Sequence, residues 1–185
     1  MPSPPDRPRS DGDSRGPRRA GVDRFLCDAM LAHLARWLRA AGYDAELALP
    51  EADDRALLDR ARREGRTLLT CDRNLRGDGV DVLRLPMVDL PELARILREA
   101  CGVDWLRAPF SRCLVDNAEL EELADPAAAG VPPPARQLPG PFTRCPRCGR
   151  LFWPGSHVRR MRRRLERWRA ADAASKGFPG ESSVA

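Results

Sequence analysis

Four short apolar runs alternate with three amphipathic segments between residues 23 and 102. The runs, which read as strands, cover residues 25–27, 43–49, 67–71 and 82–85. The segments with apolar residues at helical spacing cover residues 30–41, 54–64 and 90–101, and a glycine follows each of them. Strands that alternate with helices in this way predict βαβ units. We therefore expect an α/β fold, with a parallel sheet that carries helices on both faces.

The pattern changes after Gly102, where prolines exclude long helices and cysteines become frequent. A segment of this kind cannot build a large core and needs another source of stability. Apolar and basic residues then predict a helix from Arg159 to Ala174. The expected organisation is a tail at residues 1–22, an α/β domain at 23–108, a small cysteine module at 109–158, and a basic helix with a frayed end at 159–185.

Composition and charge narrow the classes of function. The 185 residues contain no apolar stretch near the length of a membrane span, and the N-terminus has no apolar signal segment. We therefore expect a cytoplasmic protein, in which six cysteines favour metal binding or free thiols over disulfides. Residues 24–143 hold 16 Arg against 20 Asp or Glu, whereas residues 144–169 hold 10 Arg against one Glu. This asymmetry favours a nucleic-acid binder, although a merely solubilising helix would show it too.

Carboxylates follow the predicted strands. Asp28 and Asp72 come directly after apolar runs, and Asp53 and Asp54 open the next predicted helix. Because the carboxyl ends of parallel strands meet at one edge of the sheet, these acids would converge there and would need a cation between them. Oxygen ligands favour Mg²⁺ or Mn²⁺, which can promote phosphodiester hydrolysis. The alternative is that the acids cap helices, which is the expected role of Asp53.

The cysteine module offers a second metal site. Cys145 and Cys148, followed by Gly149, have the spacing of one half of a structural zinc site. Cys113 and Asp116 have the same spacing and predict the other half. His157 is an alternative fourth ligand, and loss of the metal is a further alternative.

Arginines and one aromatic residue are candidates for RNA contacts. Arginines bind phosphates without reading sequence. Trp153 lies beside a Pro-Gly turn and either stacks on a base or forms the core of the small module. The candidate arginines are Arg36, Arg39, Arg159, Arg160, Arg162, Arg163 and Arg164.

Several ordered motifs resemble the Mut-seven C-terminal RNase family, a PIN-like nuclease domain followed by a zinc ribbon. The similar stretches are residues 24–44, 54–58, 66–73, 145–149 and 153–157. The resemblance implies cleavage of RNA that depends on Mg²⁺ or Mn²⁺, with Asp28, Asp54 and Asp72 as the metal carboxylates. The family's ribbon usually has Cys where Asp116 stands. The expected supporting residues are Thr70, Asp53, Arg73 and Asp78. Related sites often carry a fourth acid just after the third, and Asp78 is the next acid after Asp72 in this chain.

Three functions follow from these observations. The leading hypothesis is a metal-dependent ribonuclease, whose zinc ribbon and arginine-rich helix hold RNA. The second is a non-catalytic module that binds RNA or the ribosome and retains its acids only as helix caps. A toxin-type nuclease is the third, and the ribbon disfavours it. RNA is the expected partner, with no membrane and no obligate protein partner.

Overall fold

The computed structural model describes residues 21–77 and 79–175. Most of the predicted N-terminal tail, the last ten residues and Asp78 therefore lie outside the described residues. Within them, no helix is both long enough and apolar enough to cross a lipid bilayer.

A four-stranded parallel sheet forms the centre of the fold. Its strands are β1 (Arg24–Cys27), β2 (Asp44–Leu47), β3 (Thr67–Thr70) and β4 (Val82–Arg84), in the order β2-β1-β3-β4. A 3-10 turn (Ala29–Leu31) precedes α1 (Ala32–Ala41), and α2 (Asp54–Glu64) and α3 (Leu90–Cys101) follow. The predicted α/β fold with a parallel sheet is thus confirmed.

Helices cover both faces of this sheet because its strands are apolar on both sides. Phe25, Cys27 and Leu69 belong to a large buried cluster with residues of α1 and α3. The intervening residues Leu26 and Leu68 belong to a smaller cluster with residues of α2. This arrangement explains the continuous apolar runs, which a sheet with one solvated face would not need.

The end of α1 shows why a glycine is required there. Gly42 has a φ of 96°, in the left-handed region, and caps the last turn through bonds from its N–H to carbonyls of the helix. A Cβ at this position would collide with the backbone of Ala108. The glycine therefore permits both the turn and the close approach of the segment that follows α3.

The remaining elements are short strands and two helices. Strands β5 (Glu121–Glu122), β6 (Thr143–Arg144) and β7 (Leu151–Phe152) form an antiparallel sheet, and α4 (Pro133–Arg136) lies between β5 and β6 in the chain. Helix α5 spans Ser156–Ser175 and so begins three residues before the predicted start at Arg159.

Helix α5 packs on the body of the protein around Trp168. The Trp168 ring lies 4.8 Å from that of Trp37 and 5.0 Å from that of Trp105, both edge to face. Met161 and Leu165 are also buried in the large cluster. The helix thus completes the core on the face that carries α1 and α3.

Candidate metal centres and nucleic-acid surfaces

Asp28 and Asp72 follow neighbouring strands at the carboxyl edge of the sheet. Strands β1 and β3 pair directly, with Cys27 opposite Leu69. Asp28 continues this pairing, since its N–H donates to the Leu69 carbonyl at 2.9 Å. Asp72 comes two residues after the end of β3, and both acids are half-buried. Asp28 and Asp72 therefore follow neighbouring strands, as the sequence predicts.

One buried hydroxyl links the two acids. Thr70 Oγ1 donates to Asp28 Oδ2 at 2.9 Å and accepts the backbone N–H of Asp72 at 3.0 Å. The Asp28 side chain makes no capping bond to the turn that follows it, so helix capping does not explain this residue. The second oxygen of Asp28 receives no hydrogen bond from the described residues.

The other acids have different surroundings. Asp53 caps α2 as expected, with Oδ1 accepting from Ala56 N at 2.7 Å. Asp54 is exposed in the first turn of α2, where its charge favours the helix N-terminus. It borders an open groove of about 370 Å³ together with Arg55 and Arg76. Asp78 lies outside the described residues.

Asp72 is followed by a tight turn with a basic residue at its tip. Asn74 N donates to Asp72 Oδ1 at 2.7 Å, and Arg73 between them is exposed. One carboxylate oxygen of Asp72 is therefore occupied by its own backbone. Arg73 is the exposed cation closest in sequence to the two acids.

The cysteine module gathers four side chains into a compact group. Ligand atoms of Cys113, Asp116, Cys145 and Cys148 all lie within 4.8 Å of one another. Cys113 Sγ and Cys148 Sγ are 3.8 Å apart, and Cys145 Sγ is 3.2 Å from Asp116 Oδ1. Two sulfurs bound to one tetrahedral zinc at about 2.3 Å would be separated by about 3.8 Å. The group can therefore hold a metal ion such as zinc.

The backbone of the second cysteine turn suits thiolate ligands. Gly149 N donates to the Cys145 carbonyl at 2.9 Å, and Cys148 N points at Cys145 Sγ from 3.4 Å. Such N–H groups stabilise negative charge on sulfur. The four-residue spacing thus forms the turn that the sequence predicts.

Burial and hydrogen bonding shift the pKa values of this group in opposite directions. Burial raises the pKa of the Cys113 thiol to about 12. Burial also tends to raise the pKa of Asp116, but hydrogen bonds from the thiols of Cys148, Cys113 and Cys145 outweigh it and lower that pKa to about 2. Asp116 is consequently an ionised carboxylate among thiols, which is a suitable partner for a divalent cation.

His157 lies elsewhere. Its Nε2 atom is 3.2 Å from Arg36 Nη2 of α1, and both side chains are exposed. His157 is not part of the compact group of four. The fourth member beside the three cysteines is Asp116, for which His157 was the alternative ligand.

Arg39 is buried, although the sequence places it on the polar side of α1. Its guanidinium donates to the carbonyls of Ala45 at 2.7 Å and Val115 at 2.7 Å, and lies 3.4 Å from that of Leu114. A contact with RNA would need an exposed guanidinium. The prediction that Arg39 contacts RNA is therefore wrong, because three carbonyls already engage its side chain between the sheet and the cysteine module. Burial lowers the pKa of Arg39, while the charge of Glu46 opposes the shift.

Asn117 is a second link between the cysteine module and the sheet, and no sequence signal indicated it. Its Oδ1 accepts from Ala45 N at 3.0 Å, and its Nδ2 donates to Asp44 Oδ1 at 2.6 Å and Glu46 Oε1 at 3.0 Å. The bond from Ala45 N satisfies a backbone donor of β2, which is an edge strand of the sheet and would otherwise be open to pairing. Asn117, which follows the predicted metal ligand Asp116, thus joins the cysteine module to the parallel sheet.

The arginines of α5 fall into two groups. Arg162 stacks over Phe110, Arg164 lies over Trp37 and Trp168, and Arg159 donates to the Pro154 carbonyl at 2.9 Å. Arg160 and Arg163 are exposed, and they border an open groove of about 860 Å³ between α5 and Trp37. Arg159 and Arg162 are exposed as well, and Arg164 is half-buried, so the first group combines these contacts with access to solvent. Trp153 is half-buried beside Gly155.

The chain was compared with models of known protein families. A model of the family described as "Mut7-C RNAse domain" matches residues 23–165. The chain belongs to the Mut7-C RNAse domain family. The resemblance stated from the sequence motifs is therefore confirmed. Neither the comparison with curated proteins nor that with solved structures found a significant match.

The Mut7-C match covers both candidate metal centres. It begins just before β1 and ends within α5, so it includes the acids at the sheet edge and all four members of the cysteine group. Trp168, which docks α5, lies beyond it. Membership supports a nuclease-like fold and RNA as the class of substrate.

Proposed function

We propose that the chain is a metal-dependent ribonuclease of PIN-like architecture that hydrolyses RNA phosphodiester bonds at the carboxyl edge of its parallel sheet. Asp28, Asp54 and Asp72 are the proposed metal carboxylates. The observation that carries this proposal is the buried Thr70 hydroxyl, which joins Asp28 to the backbone of Asp72 in a chain of the Mut7-C RNAse domain family.

The donor set fits Mg²⁺ or Mn²⁺, because carboxylate oxygens are the ligands that these ions prefer. Such an ion supplies activation of a water and stabilisation of the leaving oxygen when it is bound. In this chain, Thr70 fixes the orientation of the Asp28 carboxylate, and Arg73 offers a positive charge to a phosphate near Asp72. Asp54 completes the set from the first turn of α2.

We also propose that the cysteine group is a zinc ribbon with a structural role. Cys113, Asp116, Cys145 and Cys148 would hold Zn²⁺, and strands β5 to β7 would form the ribbon. In this proposal the α/β domain ends at residue 108 and the ribbon module ends at residue 158. Exposed arginines of α5, together with Arg36, would hold the RNA backbone without reading its sequence.

The substitution Asp72→Asn tests the catalytic proposal. It removes the charge with little change in shape, so cleavage of a labelled RNA should be lost while RNA affinity stays nearly the same. Asp59→Asn is the matched control, because among the described residues Asp59 pairs with Arg55 and Arg62 on the surface of α2. Cleavage by Asp72→Asn at the rate of the unmodified chain would contradict the proposal.

A non-catalytic RNA-binding module is the second candidate. The exposure of Asp54, away from the hydrogen bonds of the other two acids, favours it. Titration with Mn²⁺ separates the two functions. A nuclease binds the ion at the acidic edge and loses cleavage when a chelator is added, whereas a pure RNA binder shows salt-dependent affinity that does not respond to divalent ions.

A further inference from the structure

Large apolar side chains are exposed around the same edge of the sheet as the acids. Five such side chains in the described residues are markedly exposed: Met30 at 66%, Leu49 at 63%, Met87 at 78%, Val88 at 43% and Val115 at 51%. The first four follow the carboxyl ends of strands, and we call them the apolar rim. Val115 lies in the cysteine module instead.

The strand order places the rim on both sides of the acids. Leu49 follows β2, Met30 follows β1, and Met87 and Val88 follow β4. Since β1 and β3 lie between β2 and β4, the acids after β1 and β3 lie in the middle of this row. With about 4.8 Å between neighbouring strands, the row is about 14 Å wide.

Each of these loops also holds an apolar residue that is almost fully buried. Leu31 and Ala48 adjoin Met30 and Leu49, and Leu85 lies two residues before Met87. Each loop therefore supplies the core with one apolar residue and leaves a nearby one in solvent. Exposed apolar side chains that are grouped in one region, rather than scattered singly, mark interaction sites.

The chemistry of the edge selects its occupant. Bases carry apolar faces and phosphates carry negative charge, so a nucleotide strand can contact Met30 or Met87 while its backbone meets Arg73 and a metal at the acids. In a duplex the base faces are stacked on one another and are not accessible. An apolar protein segment laid across the row would bury Asp28 and Asp72 without partners, which is costly.

We propose that Met30, Leu49, Met87 and Val88 contact the faces of unpaired bases on either side of the phosphate held at Asp28 and Asp72. These residues thereby determine which RNA segments enter the site. The inference rests on the proposed function, because it takes the acidic edge as the place where RNA binds.

The experiment measures binding rather than cleavage, so that its failure can be told apart from failure of the nuclease proposal. All variants carry Asp72→Asn, and gel analysis confirms that the probe stays intact. Fluorescence anisotropy compares a short single-stranded RNA with an abasic strand of the same length and with a duplex. The test variant adds Met30→Ser, Leu49→Ser and Met87→Ser, and the matched control adds Val115→Ser.

The expected result is a loss of affinity for strands that carry bases. The test variant, which loses three apolar contacts, should bind single-stranded RNA at least about fivefold more weakly, the lower end of the effect of removing one aromatic stacking contact, while its affinity for the abasic strand stays unchanged. Val115→Ser should bind all three probes as the parent does. A variant with Leu in place of Met30 and Met87 should retain affinity, and unchanged thermal unfolding excludes a folding defect.

Two outcomes would overturn the inference. Equal weakening toward the intact and abasic strands would show that the rim does not contact bases. Unchanged affinity for all probes would assign the rim to a protein partner or to no ligand. Neither outcome affects the cleavage test with Asp72→Asn, which uses the unmodified rim.

Discussion

Asn117 occupies the same place in the first cysteine turn as Gly149 does in the second. Both residues have left-handed backbones, with φ of 68° and 70°. Both donate their N–H to the carbonyl of the residue four positions earlier, Cys113 at 3.1 Å and Cys145 at 2.9 Å. The two turns are therefore equivalent, and Asp116 stands where the second turn has Cys148. Asp116 thus presents a carboxylate at the place where the second turn presents a thiol.

This equivalence predicts how Asp116 governs metal affinity. Structural zinc sites bind with about 10–16 kcal/mol over four ligands, so removal of one ligand in Asp116→Ala should weaken zinc binding on the order of 100-fold. Asp116→Cys should strengthen it, because zinc favours thiolates and the backbone already suits one. Competition with a chromophoric chelator measures both. Equal zinc affinity in the unmodified chain and both variants would show that Asp116 is not a ligand.

Asp44 should make the fold sensitive to acid. Burial tends to raise the pKa of Asp44, but hydrogen bonds from Arg66 and Asn117 lower it from 3.8 to about 2. A carboxyl whose pKa is lower in the folded state stabilises the fold above its unfolded pKa, and this contribution is lost as pH falls through the folded value. We expect about 2 kcal/mol to disappear between about pH 4 and pH 2.

Urea unfolding of Asp44→Asn measures this contribution. The variant should be less stable than the unmodified chain at pH 7, and the difference should shrink as the pH approaches 2. Asp59→Asn is the control, because ion pairs on a helix surface contribute little at any pH. A stability difference that stays constant between pH 7 and pH 2 would contradict the prediction.

Thr70 should support activity without touching substrate. Thr70→Val keeps the shape of the side chain but removes the hydroxyl that orients Asp28, so we expect cleavage to fall about 10- to 100-fold. The unfolding free energy should fall by about 2 kcal/mol, because the variant loses two hydrogen bonds of about 1 kcal/mol each. Thr70→Ser keeps the hydroxyl and should retain cleavage and Mn²⁺ affinity. If Val and Ser variants cleave RNA equally well, the hydroxyl has no role in the site.

The sequence predicted those features that depend on local order. Apolar runs and helix-ending glycines placed the strands and helices, and the parallel sheet then brought Asp28 and Asp72 together. The roles of Arg39 and Asn117 were not predictable in this way, because Arg39 bonds to Val115, 76 residues away, and Asn117 bonds to Ala45, 72 residues away. A buried arginine between apolar helix positions has the same local pattern as an exposed one. Only the packing of the cysteine module against β2 separates the two cases.

The exposed arginines of α5 should contribute to RNA affinity through charge alone. Arg160, Arg163 and Arg164 border the groove beside Trp37, and the Arg164 guanidinium also lies over two tryptophan rings. Each phosphate contact to a single strand contributes about 0.7 to the slope of log affinity against log salt concentration. Arg160→Ala combined with Arg163→Ala should therefore lower the slope by about 1.4 and weaken binding to all RNA sequences alike.

Arg63→Ala is the control for this loss of charge, since Arg63 is exposed on α2, whose packing face lies on the other side of the sheet from α5. It should leave the slope unchanged. Affinity is measured by anisotropy across a series of salt concentrations in the Asp72→Asn background, so that cleavage does not deplete the probe. If the double variant keeps the full slope, phosphate contacts do not involve this groove. If Arg63→Ala lowers the slope as much, the effect reflects net charge rather than a surface on α5.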